Sequence, residues 1–173
     1  MKKVSVYAHL KAILLGPFTV TVIIPLAILY LSKDIRLGWA SRISTVLGLL
    51  LLIGGLYLLI TTNILFARIG KGTLSPLNPP QKLVVSGPYR YVRNPMFSGV
   101  LFILLGEAIF FGSIYVLVWF ALFWILIHIA TQRIEEPRLI KRFGENYLVY
   151  REHVPRWIPR MSPWSGDMKD EKR

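Results

Sequence analysis

Apolar residues are concentrated in four blocks along the chain, with polar stretches between them. A helix that crosses a bilayer needs about 20 predominantly apolar residues, and each block has about that length. The blocks lie at about residues 10–31, 43–66, 95–112 and 114–136. This pattern predicts an all-α integral membrane protein with four transmembrane helices.

The last two blocks are separated by Gly112 and Ser113 alone. So short a connection between two helices predicts a tight C-terminal helical hairpin. In such a hairpin the start of the first helix and the end of the second helix must be neighbours. Residues near position 95 are therefore expected to face residues near position 136.

The longer polar stretches are a loop at residues 67–94 and a tail at residues 137–173. In the tail, apolar and aromatic side chains recur at helical spacing, at Leu139, Phe143, Tyr147 and Tyr150. That spacing predicts an amphipathic helix that lies on the bilayer or folds over the hairpin. Because so little of the chain lies outside the blocks, we expect a single membrane domain, residues 1–173.

Lysine and arginine are distributed unevenly between the two sides that four spans define. The N-terminal end through Lys11, the loop, and the tail counted from Arg133 together carry 18 of the 21 basic residues, and the connection between the first two blocks carries 3. This asymmetry predicts that both termini, the loop and the tail are cytoplasmic. It also accounts for the net charge of +12, so no nucleic-acid partner is predicted. A four-span chain this small favours a prokaryotic cell membrane over the endoplasmic reticulum.

The composition narrows the possible chemistry. Hydrophobic residues make up 54% of the 173 residues, and there is no cysteine. A chain without cysteine has no disulfide, no thiolate metal ligand and no cysteine nucleophile. We predict no metal site.

The segment SGPYRYVRNPMFSG, residues 86–99, opens the third block. Asn94 and Pro95 predict the start of its helix, because asparagine caps helix N-termini and proline is favoured at the first helical position. A helix start carries free N–H groups and a partial positive charge, so it attracts anions. Arg90 and Arg93 add to that positive charge.

Glu135 and Glu136 close the fourth block, on the side where the third block begins. A positive helix start beside two carboxylates suits a small zwitterionic ligand. The alternative is that Arg90 and Arg93 contact lipid phosphates and the two glutamates are solvated. Within the third block, Glu107 either lines a polar path into the membrane or packs against other helices.

Two segments match motifs of a known family. The first motif, G-x-Y-x-x-x-R-H-P-x-Y-x-G, aligns with Gly87, Tyr89, Arg93, Asn94, Pro95, Phe97 and Gly99. The second, E-E-x-x-L-x-x-x-F-G-x-x-Y-x-x-Y-x-x-x-V-P, aligns with Glu135, Glu136, Leu139, Phe143, Gly144, Tyr147, Tyr150, Val154 and Pro155. On these motifs, about residues 75–160 resemble the isoprenylcysteine carboxyl methyltransferase and phospholipid methyltransferase superfamily of integral-membrane enzymes.

The resemblance implies S-adenosylmethionine as methyl donor, bound at the cytoplasmic ends of the last two spans and covered by loop and tail. It implies cofactor contacts at Gln81, Lys82, Leu83, Val84, Tyr89, Asn94, Pro95, Met96, Phe97 and Glu135. Asn94 stands where the family has histidine and cannot titrate, and Phe97 replaces a tyrosine and lacks its hydroxyl. In carboxyl methyltransferase members an arginine shortly before the glutamate pair holds the substrate carboxylate. Arg133 is the nearest match, so the resemblance implies a catalytic role for it.

The resemblance and the membrane setting together imply a lipid-like or prenylated acceptor that enters from the bilayer. Carboxyl methylation of a prenylcysteine-like substrate is the favoured reaction, and N-methylation of a phospholipid head group is the alternative within the superfamily. A non-catalytic membrane scaffold that keeps the fold is the alternative outside it. The sequence predicts no oligomeric state.

Overall fold

The structure, a computed structural model, describes residues 14–32, 42–70 and 81–166. Within these residues it is all-helical and contains no strand, which confirms the all-α prediction. The α-helices are α1 (Ile24–Leu31), α2 (Arg42–Leu65), α3 (Pro95–Phe111), α4 (Ile114–Ala130) and α5 (Glu136–His153).

Shorter helical segments connect or extend the α-helices. A π-helical segment, Leu14–Ile23, precedes α1, and another, Phe66–Gly70, follows α2. A third π-helical segment, Thr131–Glu135, joins α4 to α5, and a 3-10 turn, Gly87–Arg90, lies shortly before α3. The path from α4 into α5 is therefore continuous helix with a change of pitch in the middle.

Two continuous helical stretches, Arg42–Gly70 and Ile114–His153, are long and apolar enough to cross a membrane. Two shorter apolar helices, Leu15–Leu31 and Pro95–Phe111, coincide with the other two predicted spans. Large apolar side chains on all four face outward, and Leu126, for example, is 63% exposed. An apolar surface of this extent suits hydrocarbon surroundings better than water. The number of passes stays a prediction.

A close contact joins α2 to α3 through two pairs of glycines. A Cβ atom on Gly55 would lie 2.6 Å from the carbonyl oxygen of Gly99, and one on Gly106 would lie 2.9 Å from that of Gly48. Because a side chain does not fit at these points, glycine lets the two backbones touch. This contact fixes how α3, and the site at its N-terminal end, lies against α2.

The connection between α3 and α4 is made by Gly112 and Ser113. Gly112 has φ of 62°, in the left-handed region that glycine adopts without the steric cost of a Cβ atom. The hydroxyl oxygen of Ser113 accepts a hydrogen bond from the backbone N–H of Val116 at 3.4 Å, which caps α4. As a result, the start of α3 and the end of α4 face the same cavity.

The N-terminal end of α3 differs in one respect from the prediction. The helix begins at Pro95, as predicted, and Asn94 takes the cap position. However, the Asn94 side chain makes no cap hydrogen bond, so the predicted side-chain cap is wrong. The physical reason is its backbone: with φ −118° and ψ 52°, Asn94 is outside the extended region that aims a cap side chain at the first turn.

Several predicted features lie outside the described residues. They comprise residues 10–13 of the first block, the connection 33–41, residues 71–80 of the loop and residues 167–173 of the tail. The orientation predicted from the charge asymmetry rests partly on these stretches, and it stays a prediction.

Replacing Gly55 by alanine is expected to destabilise the protein, because the new Cβ would lie 2.6 Å from the Gly99 oxygen and 2.7 Å from Cγ1 of Ile103. Overpacking of this kind costs about 1–3 kcal/mol. In a protein of this size, this lowers the unfolding midpoint by about 2–12 °C. Tryptophan fluorescence during heating of the detergent-solubilised protein measures it.

Gly54→Ala is the matched control. Nothing lies within 4 Å of a Cβ atom built on Gly54, and alanine favours helix over glycine. The control variant should melt at or slightly above the midpoint of the unaltered protein. Equal destabilisation by the two variants would contradict the close contact between α2 and α3.

Candidate functional site

Residues 86–94, called the lip, lead into α3. The lip begins in extended backbone at Ser86, turns through Gly87–Arg90 and ends at Asn94. Tyr89 is buried, and its ring meets the ring of Phe66 edge to face with 5.7 Å between centroids. This contact packs the turn of the lip against the segment that follows α2.

Residues 154–164, called the strap, run along the lip and hold it in place. Three backbone N–H···O=C bonds of 2.9–3.0 Å link the two segments, from Arg93 to Pro155, from Arg160 to Tyr91 and from Trp164 to Arg90. Nε of Arg90 also donates to the carbonyl of Trp164 at 2.7 Å. From α5, the hydroxyl of Tyr150 donates to the carbonyl of Tyr89 at 2.7 Å. The lip is therefore fixed both by the strap and by α5.

The strap is also attached to α4. The indole N–H of Trp157 donates to Nδ1 of His128 at 2.9 Å, and the ring of His128 stacks on that of Trp124. An indole N–H only donates, so Nδ1 of His128 carries no proton in this arrangement. The strap thus bridges the lip and the end of α4.

Glu136, the first residue of α5, is the centre of a buried ion-pair cluster. Its Oε1 accepts hydrogen bonds from Nη1 of Arg93 at 2.9 Å and from Nε of Arg156 at 2.7 Å. Its Oε2 accepts from Nη2 of Arg156 at 3.0 Å. Nη1 of Arg93 also donates to the hydroxyl of Tyr147 at 3.3 Å. The side chains of Glu136 and Arg93 are only 7% and 9% exposed.

The cluster keeps Glu136 ionised. Two guanidinium groups donate three hydrogen bonds to this carboxylate, and opposite charges at this distance favour the ionised form of a carboxyl group. The carboxylate joins three parts of the chain, because Arg93 belongs to the lip and Arg156 to the strap. Removing one partner from a buried ion pair is strongly destabilising, so the shape of the site depends on this carboxylate.

A cavity of about 790 Å³ opens between the lip, the start of α3, the end of α4 and α5. Sites for small molecules have volumes of about 300–1,000 Å³. Eight of the ten residues implied as cofactor contacts line it, namely Lys82, Leu83, Val84, Tyr89, Asn94, Met96, Phe97 and Glu135. Residues far apart in the chain thus meet around one space of the right size for a cofactor.

The other two implied contact residues do not line the cavity. Gln81 is exposed, and its backbone N–H donates to the carbonyl of Gly70 at 2.7 Å. Pro95 is fully buried as the first residue of α3. Neither residue presents a side chain to the cavity.

Arg133 is exposed and does not line the cavity. It lies in the π-helical segment Thr131–Glu135, where Thr131 is buried and Glu135 reaches the cavity. A π-helical turn contains more residues than an α-helical turn, so it changes which side chains share a face. The catalytic role implied for Arg133 therefore has no geometric support, although it stays a prediction.

The cavity includes charged residues that the sequence analysis missed. From α5, Arg138, Lys141 and Arg142 line it together with Leu139 and Phe143. A signal was present, because residues 138 and 142, like 139 and 143, are four apart and share a face of a helix. The family motif includes the apolar residues of this face but not the basic ones.

α5 bends at Gly144, which has φ of 54° and ψ of −131°. Glycine adopts this backbone conformation readily, and other residues do so at a cost. The bend lets the first half of α5 line the cavity, while Tyr147 and Tyr150 in the second half pack in a buried cluster with Val154 and Trp164. The apolar face predicted for this helix therefore folds over the site.

Among the described residues that line the cavity, Glu135 is the only one with a carboxylate. It lies beyond the apolar helix α4, which ends at Ala130. Its side chain is partly buried and lies next in sequence to the buried carboxylate of Glu136. A cationic or hydroxyl-bearing ligand favours the ionised form of such a carboxyl group, so Glu135 is suited to binding one.

A second cavity, called the groove, has a volume of about 620 Å³ and lies on the other face of the lip. Gly87, Pro88, Tyr91 and Val92 line the groove, whereas Tyr89, Arg93 and Asn94 line the first cavity. The remaining lining of the groove is mostly apolar, from α2, α3, α4 and the strap. Glu107 lines neither space, so its predicted place on a polar path has no support.

Known methyltransferases resemble this chain. Residues 43–146 match the family model described as phospholipid methyltransferase. The Protein-S-isoprenylcysteine O-methyltransferase of Schizosaccharomyces pombe (strain 972 / ATCC 24843) is 37% identical over 87 residues, which are 49% of this chain and 36% of that protein. The match therefore spans about a third of that protein's length. No solved structure matches the chain.

Replacing Glu136 by glutamine is expected to destabilise the protein, because two arginine side chains lose the carboxylate they share. Breaking a buried ion pair in this way costs about 3–5 kcal/mol, which lowers the unfolding midpoint by roughly 6 °C or more. Thermal unfolding in detergent at neutral pH measures it.

Glu152→Gln is the matched control, because Glu152 is exposed on the same helix. Its midpoint should change by no more than about 2 °C, the effect of a surface substitution. If Glu136→Gln melted like the control, the cluster would not hold the lip and strap together.

Proposed function

Because the chain belongs to the phospholipid methyltransferase family, we propose that it transfers a methyl group from S-adenosylmethionine to a lipid-like acceptor at a membrane. The observation that carries the proposal is the cavity beside the lip, where eight of the ten residues implied as cofactor contacts meet. The similarity to a protein named as an O-methyltransferase supports the same type of reaction.

The proposed topology is a single membrane domain with four spans. Both termini lie on the cytoplasmic side, and the cavity opens on that same side. The two long apolar stretches support spanning, and the excess of lysine and arginine in the loop and tail supports the orientation. The proposed location is a prokaryotic cell membrane.

The residues of the cavity suit the chemical groups of S-adenosylmethionine. The carboxylate of Glu135 suits an ammonium group or ribose hydroxyls, and the rings of Tyr89 and Phe97 suit a sulfonium cation. When bound, the cofactor supplies a methyl group that is already activated on a positively charged sulfur. The chain therefore needs no residue to activate the donor.

The chain's own contribution is to position the reactants and to exclude water. The lip and the first half of α5 bound the cavity, and the strap fixes the lip. A carboxylate acceptor is already a nucleophile and needs no general base. Asn94, in place of a titratable histidine, is therefore compatible with the reaction.

The charges around the cavity favour a carboxylate acceptor over an ammonium acceptor. Among the described residues, the lining contains one acid, Glu135, and the bases Lys82, Arg93, Arg138, Lys141 and Arg142, of which Arg93 is paired with Glu136. A positive cavity attracts a carboxylate and repels an ammonium group. This supports carboxyl methylation of a prenylcysteine-like acceptor, whereas N-methylation of a phospholipid head group would require the amine to arrive neutral.

The apolar part of the acceptor is proposed to enter from the bilayer. The groove beyond the lip supports this entry, because its lining is mostly apolar and Tyr57 at its edge is 64% exposed on a spanning helix. A hydrocarbon chain bound in the groove would reach from the bilayer to the lip, which separates the groove from the polar cavity.

Titration with S-adenosylhomocysteine, the demethylated product of the donor, tests the proposal. The unaltered protein should bind it saturably. Glu135→Gln should bind about tenfold more weakly. Calorimetry on the detergent-solubilised protein gives both affinities.

Glu152→Gln serves again as control, since it removes an exposed carboxylate from outside the cavity. It should bind like the unaltered protein. A folded, unaltered protein that does not bind S-adenosylhomocysteine would contradict the enzyme proposal and favour a non-catalytic scaffold.

A further inference from the structure

Two large apolar side chains of the strap face away from the rest of the protein. Ile158 is 80% exposed, and Met161 is fully exposed. The inner side of the same segment is packed, because Val154 and Trp164 are buried in a cluster with side chains of α5. The strap therefore has a buried inner face and an apolar outer face.

Hydrogen bonds to the lip keep the outer face of the strap turned outward. Backbone groups of Pro155, Arg160 and Trp164 are bonded to the lip, and these residues lie before, between and after the two exposed side chains. Ile158 and Met161 cannot turn inward unless these bonds break. Apolar side chains that the fold holds outward indicate a surface that another apolar medium or partner covers.

The contact between the strap and α4 sets the depth of the strap relative to the spans. Trp157 donates its indole N–H to Nδ1 of His128 at 2.9 Å. His128 lies two residues before the end of α4, about 3 Å along the helix axis, and its neighbours Leu126 and Ile129 are exposed and apolar. Trp157 is therefore level with the part of α4 that faces lipid when α4 spans the bilayer.

The groove connects the strap to the apolar surface of the spans. Trp157 and Pro159 of the strap line it together with Tyr57 of α2 and Trp124 of α4. Tyr57 and Trp124 are themselves exposed on apolar helices. The surface that lipid covers on α2 and α4 therefore continues across the groove onto the strap, which favours lipid over a protein partner.

The residue types beside the two exposed side chains suit the boundary of a bilayer. Trp157 precedes Ile158, and Arg160 precedes Met161. Tryptophan is enriched where membrane meets water. Arginine can keep its hydrocarbon stem in apolar surroundings while its charge reaches lipid phosphates.

We infer that the strap is a membrane-binding segment whose partner is the bilayer itself. The side chains of Ile158 and Met161 reach about 5–10 Å into the boundary between head groups and acyl chains of the cytoplasmic leaflet. Because the strap is bonded to the lip, this contact also anchors the lip at the membrane. The inference rests on the proposed topology, in which α4 spans the bilayer, and not on the proposed methyl transfer.

Spin labels on single cysteines test this placement, because the chain has no cysteine of its own. Ile158→Cys and Met161→Cys are labelled and reconstituted into vesicles of phosphatidylcholine and phosphatidylglycerol. Leu126→Cys on α4 is the reference for lipid, and Glu152→Cys on α5 is the reference for water, since both side chains are exposed. Electron paramagnetic resonance compares collisions with oxygen, which concentrates in lipid, and with a water-soluble nickel complex.

Labels at positions 158 and 161 should collide more often with oxygen than with the nickel complex, like the label at 126 and unlike the label at 152. The reverse order at 158 and 161, with the expected order at 126, would place the strap in water and overturn the inference. Few collisions with either reagent at 158 and 161 would mean that protein covers the strap, which would also overturn it. Frequent collisions of the label at 126 with the nickel complex would contradict the proposed topology as well.

Met161→Asp gives a second measurement that needs no label. A charge among acyl chains is costly, whereas a substitution at an exposed position in water has little effect. In vesicles, hydrogen exchange in peptides covering the strap and the lip should be several-fold faster in Met161→Asp than in Met161→Leu, because the aspartate draws the strap towards water. Equal exchange in these two variants would contradict the contact between Met161 and the bilayer.

Discussion

The carboxylate of Glu136 is shared by two arginines from distant parts of the chain, and the walls of the cavity depend on that sharing. Arg93 brings the lip to it and Arg156 brings the strap, while Glu136 itself starts α5. Each arginine, left alone, would be a largely buried cation with no counter-charge. The three segments therefore gain stability together, and the cavity is the space they enclose.

That cluster can form because the helices place its members within reach. Contact between Gly55 and Gly99 sets α3 directly against α2, and the left-handed Gly112 turns the chain back into α4. The end of α4 then lies beside the start of α3, where the lip ends. The ion-pair cluster therefore depends on the backbone contact between α2 and α3 and on the turn at Gly112. The polar cavity depends on both the helix arrangement and the cluster.

The motifs located most of the cavity from the sequence, because residues at a helix start and at the end of its partner must meet when the connecting turn is short. They did not locate it completely. Arg133 lies outside the cavity, and it belongs to the π-helical turn, which changes the direction in which successive side chains face. Arg138 follows that turn and lines the cavity. The opposition of Gly55 to Gly99 was not predictable, since no local pattern says which residues of two helices face each other.

Hydrogen–deuterium exchange of the detergent-solubilised protein, with and without S-adenosylhomocysteine, tests most directly whether the cavity between lip and α5 is the cofactor site. Ligand should slow exchange in peptides covering residues 81–97 and 135–143, and should leave residues 24–31 of α1 unchanged. Slower exchange elsewhere, with these two stretches unaffected, would place the ligand outside the cavity and contradict the assignment.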